Sequence, residues 1–93
     1  MKYKINLTVE WDGDDGKRER ETKTLSDSPR HVEIPRRAGE ITLEPIPPSS
    51  LRATILTGER TRSFVINVGS VLRVPLGAPL NRGSLEINPE NEQ

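Results

Sequence analysis

The sequence predicts a small all-β domain, an antiparallel β-sandwich. One observation comes from its start, where Tyr3, Ile5, Leu7, Val9 and Trp11 are apolar and Lys2, Lys4, Asn6, Thr8 and Glu10 between them are polar. Strict alternation is the period of a strand with one dry and one wet face. Another is that short alternating segments recur along the chain with turn residues between them, the spacing of a sandwich or small barrel. The last is compositional: 93 residues make one domain, with 23 Leu, Ile, Val and Phe against three aromatics, Tyr3, Trp11 and Phe64. Aliphatic side chains must therefore fill a thin core. Added burial from a partner or a second subunit would stabilise it.

The first strand, Lys2 to Trp11, ends at the turn Asp12-Gly13-Asp14-Asp15-Gly16, since Asp and Gly tolerate positive φ. Lys17 to Leu25 follows with almost no apolar residue, which suits a charged edge strand; a loop is the competing reading. Ser26 to Pro29 is a second turn. His31 to Ile34 and Glu40 to Glu44 read as a hairpin across the loop Pro35-Arg36-Arg37-Ala38-Gly39. Pro45 to Ser50 contains three prolines, which lack the ladder donor, and reads as an extended crossover between sheets.

Leu51 to Thr57 and Arg62 to Val68 form a hairpin across Gly58-Glu59-Arg60-Thr61. Pairing Thr57 with Arg62 sets Ile55 against Phe64, Ala53 against Ile66 and Leu51 against Val68, a continuous apolar face. At Gly69-Ser70 a two-residue turn would put Arg73 on the dry face. Adding Val71 to the loop points Leu72, Val74 and Leu76 inward and Arg73 outward, and burying an unpaired Arg costs several kcal/mol, so the longer turn is expected. Gly77 to Gly83 is a loop and Ser84 to Asn88 the last strand. Residues 1–88 form the domain and 89–93 a disordered C-terminal tail. The seven or eight segments fit an immunoglobulin-like or jelly-roll-like sandwich, or alternatively a small barrel, although the Cys and Trp spacing of antibody domains is absent.

Charge is balanced, with 14 basic and 14 acidic residues, and the balance holds in each third of the chain. No segment is a basic footprint for nucleic acid or an anionic membrane. RNA or single-stranded DNA would call for exposed aromatics interleaved with basic residues, and the three aromatics here lie on dry faces. There is no Cys, no apolar leader and no stretch of about 20 apolar residues. A soluble, cytoplasmic protein is expected, and the early Met and short polar tail read as a whole chain.

Candidate chemistry is sparse. Asp12, Asp14 and Asp15 cluster as calcium ligands do, but counting from Glu10 places Asp15 where a calcium loop needs Gly, so a solvated turn is expected and no metal. His31 is the single histidine, with Ser28 and Asp27 nearby; the cluster lacks a Gly-flanked serine elbow, so no catalytic residue is assigned and no cofactor is expected. Arg36 and Arg37 on one predicted loop and Arg60 and Arg62 on another offer two-pronged donors for phosphate or carboxylate. Pairing with Glu33, Glu40 or Glu59 is the competing reading. Leu56, Val65 and Val71 point outward in the preferred register and could form an apolar interface patch. The expectation is a non-enzymatic binding or assembly module acting through protein–protein contact, including self-association. The alternative is a small anion or nucleotide binder using the four arginines.

Overall fold

The computed structural model describes residues 1–74, 76, 80 and 82–90. They form two antiparallel sheets of four strands and one short 3₁₀ turn. Strands β1 (Tyr3–Asp12), β2 (Arg18–Leu25), β7 (Val71–Val74) and β8 (Arg82–Pro89) make the first sheet, in the order β2-β1-β8-β7. Strands β3 (His31–Ile34), β4 (Gly39–Ile46), β5 (Ser50–Thr57) and β6 (Arg60–Asn67) make the second, as a meander in chain order. The layers are separate sheets, so the arrangement is the sandwich and not the closed barrel. Among the described residues no helix is long and apolar enough to cross a membrane.

The period of two in β1 buries Tyr3, Ile5, Leu7, Val9 and Trp11. Leu85, Ile87 and Val74 extend this inner face across the sheet. Val32, Ile34, Ile41, Leu43, Leu51, Ala53 and Ile55 supply the facing layer, and Leu80 joins them. No charged side chain is buried among the described residues. Phe64, Ile66, Val68 and Leu72 are half-buried at the margin of the core. Strand β2 is the charged edge that its sequence predicts, with five charged residues in eight.

Several connections differ from the sequence-based expectation. The proline-rich segment is not a crossover. Ile46 pairs with Ser50, so Pro47, Pro48 and Ser49 close a hairpin within the second sheet. Pro45 lies inside β4 because its nitrogen faces away from β5. The Leu43 N–H on the same side donates to the Arg30 carbonyl (2.9 Å), and β3 begins only at His31, so no β3 residue lies opposite Pro45.

The β5–β6 hairpin turns on two residues, Gly58 and Glu59, with Thr57 opposite Arg60. Gly58 takes the positive φ (60°) that a glycine-first hairpin turn requires. The expected register is thus off by two: Ile55 meets Arg62, Ala53 meets Phe64 and Leu51 meets Ile66. The segment at Gly69-Ser70 is not a hairpin at all. It carries the chain from the second sheet to the first: Val68 N–H still bonds to Ser49, whereas Gly69 N–H donates to the Ile87 carbonyl (2.7 Å) and Ser70 accepts from Ile87 N–H (3.1 Å). Strand β7 then pairs with β8. Val74 is buried, Leu72 and Leu76 are half-buried and Arg73 is exposed, so the expected facing holds although the partner strand does not. The last strand runs through Pro89, with Glu90 N–H bonded to the Lys2 carbonyl. Residues 91–93 of the expected tail, and 77–79 and 81 of the expected loop, lie outside the described residues.

Candidate functional site

Two surfaces bring together the residues that could contact a ligand or partner: the corner formed by the β3–β4 loop, and the free edge of β6. The corner is built on Pro35–Arg37, a single 3₁₀ turn with Pro at its start. Both Arg36 (φ 63°) and Arg37 (φ 57°) sit in the left-handed region. Such a conformation costs an ordinary L-residue about 1–2 kcal/mol. Gly39, with φ 150°, then starts β4 against β5, and a Cβ there would be driven into the Leu56 carbonyl oxygen.

Arg36 reaches over the end of β1. Its guanidinium carbon lies 4.8 Å from the centroid of the Trp11 ring, a cation–π contact that ties the loop of one sheet to a strand of the other. An open groove on one side of Arg36 is lined by Asp12, Asp14, Asp15 and Glu19. A second groove, on its other side, is lined by Lys23, Arg36, Arg37, Glu40, Leu56 and Gly58. Lys23 is held there by donating to the Glu33 carbonyl (3.1 Å). Of the acids weighed as partners for the arginines, Glu40 accepts instead from His31 (2.8 Å). Neither Arg36 nor Arg37 has a carboxylate within 4.0 Å among the described residues.

Arg60 and Arg62 do not join this corner. They lie near the start of β6, just past Gly58 on the groove's rim, and neither lines the groove. The four arginines are thus two pairs. The Ser28–His31 cluster is also divided: Ser28 Oγ accepts the Tyr3 N–H (3.1 Å), while the His31 ring is held by Glu40. Around the Asp12–Gly16 turn, Asp15 accepts the Lys17 N–H (3.0 Å), and no group of three metal-ligating side chains converges among the described residues.

Leu56, Val65 and Val71 are exposed as expected, at 38%, 61% and 59%. They do not form one patch. Val71 lies on the first sheet, opposite Glu86, and Leu56 and Val65 on the second. Val65 stands opposite Arg52, four residues or roughly 13 Å along β5 from Leu56.

The β6 edge is the feature that sequence reading did not isolate. The other edges are short or charged: β3 and β7 have four residues each, and β2 is charged throughout most of its length. Strand β6 has eight residues, and its last five, Ser63-Phe64-Val65-Ile66-Asn67, carry no charge. Val68 N–H bonds inward to Ser49, so by alternation the even-numbered residues of β6 face β5, while the N–H and C=O groups of Thr61, Ser63, Val65 and Asn67 face the open side. That Ser63 to Asn67 carry no charge was visible in the sequence, but their place at an edge depends on strand order.

No protein-family model, curated protein or solved structure matches the chain.

Proposed function

We propose that this chain is a non-enzymatic binding and assembly module acting through protein–protein contact, with self-association as its simplest form. The observation that carries the reading is the open β6 edge: a row of outward backbone donors and acceptors beside an exposed Val65, in an eight-residue strand whose stretch Ser63 to Asn67 carries no charge. An added strand satisfies those groups and supplies burial that a thin core lacks. The engagement of Ser28 and His31 in separate hydrogen bonds supports a structural role for both. Light scattering on the full chain over a concentration series tests the reading. The mass rises above the 10.4 kDa of one chain and stays at one chain in folded Val65→Glu. A wild-type mass fixed at one chain up to millimolar concentration overturns it.

A second reading, anion binding at the β3–β4 corner, is favoured by Arg36 and Arg37 having no ion partner among the described residues while holding left-handed backbone beside an open groove. Calorimetry with inorganic phosphate and a nucleoside triphosphate decides between the two. Heat that disappears in Arg36→Ala/Arg37→Ala supports the anion site, and no heat with either ligand dismisses it.

A further inference from the structure

We propose that two copies of this chain join through β6, antiparallel, about a two-fold axis that passes beside Val65, giving one continuous eight-stranded sheet. The inference rests on the assembly reading above and names its partner and register.

The backbone restricts how two such edges can meet. A two-fold axis perpendicular to the sheet keeps the inner faces of both copies on the same side, so residues opposite one another share a face. Only registers that match odd with odd and even with even residues satisfy this. With the axis at Val65, Val65 pairs with its own copy, Ser63 pairs with Asn67, and Asn67 pairs with Ser63. All of these are residues whose N–H and C=O groups face the open side. Each such pair exchanges both of its backbone hydrogen bonds.

The side chains select the same register. On the outer face the two Val65 side chains, each 61% exposed, cover one another. On the inner face Phe64 meets Ile66 of the second copy and Ile66 meets Phe64, and both are half-buried residues that already pack on the core margin. Moving the axis to Phe64 sets Val65 against Ser63 and places Arg62 beside Ile66 within the ladder. Moving it to Ser63 places Arg62 against Phe64. The Val65 register leaves both arginines at the ends, with no like charges opposed. Three hydrogen-bonded pairs and the two Phe64–Ile66 pairs between them make a small contact, so the dimer is weak and dominates only at about 0.1 mM or above.

The absence of cysteine makes the test clean. Opposed residues in a hydrogen-bonded antiparallel pair have Cα atoms about 5.5 Å apart, inside the range a disulfide spans. Val65→Cys is expected to oxidise to a covalent dimer at least about tenfold faster than Leu56→Cys or Val71→Cys, which are exposed but lie off the axis. Val65→Pro removes an N–H that faces the open side, leaves the β5–β6 ladder intact, and is expected to hold the chain at one copy in light scattering. Val65→Lys, with its fold checked by circular dichroism, serves the same purpose if the proline disturbs the strand. Cross-linking of a Ser63→Cys and Val65→Cys mixture in preference to Val65→Cys alone moves the axis to Phe64 and overturns the register. A wild-type dimer with no cysteine preference at Val65 overturns the β6 contact, with self-association itself left to another surface. A wild-type chain that stays single at every concentration overturns both.

Discussion

Tyr3 is wholly buried at the start of β1, yet its hydroxyl donates to the Pro29 carbonyl (2.6 Å) and its N–H donates to Ser28. One residue thus fixes the crossover from the first sheet to the second. Burial pushes its phenol above the usual value, and the Arg30 charge pulls against this. A raised folded-state value means the native chain holds the proton more tightly, so stability is complete below about pH 10 and falls as pH rises through the raised value. Tyr3→Phe is expected to lose about 1–2 kcal/mol at pH 7, the cost of leaving the Pro29 carbonyl without its donor. It is also expected to lose the alkaline fall predicted for the wild type, read by denaturant unfolding of both at pH 7 and 11. Gly39 is constrained more simply. Its φ of 150° and the Leu56 carbonyl behind it leave no room for a side chain. Gly39→Ala is expected to cost about 3 kcal/mol in the same measurement.

At the scale of the element, the β3–β4 loop holds two adjacent arginines in left-handed backbone, and only Arg36 recovers something through Trp11. Arg37→Gly is therefore expected to raise the thermal midpoint by a few degrees by relieving the backbone. Arg36→Gly is expected to change it little, because the ring contact is lost with the strain. Calorimetric melts of the two variants separate these effects.

The strands themselves were readable because alternation betrays each inner face, as at Tyr3 to Trp11 and at Leu51, Ala53 and Ile55. The partners were less so. A slip of one residue in β6 would turn Phe64 outward, but a slip of two keeps every side chain on its face, so apolar matching cannot tell a four-residue turn from the two-residue turn at Gly58-Glu59. For Gly69-Ser70, nearness in sequence suggested a hairpin, whereas the decisive bonds run to Ile87, distant along the chain. Pro45 looked like a break because its ladder side depends on where β3 starts.

At the scale of the molecule, fifteen buried apolar strand residues from the two sheets and Leu80 form one layer of contact among the described residues. Leu7 sits in the middle of β1, between β2 and β8, and is fully buried. Leu7→Ala is expected to cost about 2–5 kcal/mol, a large part of the total for a domain of this size, measured as a shift in the urea midpoint at unchanged slope. The candidate sites were legible as residues and not as places. Arg36 and Arg37 occupy the β3–β4 loop as expected, whereas the shorter β5–β6 turn draws Arg60 and Arg62 into β6. Strand order sets β1 beside β8, with Tyr3 opposite Pro89 and Lys2 bonded to Glu90. Positions 2 and 90 are therefore neighbours, and a short glycine-rich splice could join them while new ends are opened at the exposed Asp14-Asp15 tip. Such a circular permutant would keep both sheets, and it would leave β6 untouched as the place where another strand can be added.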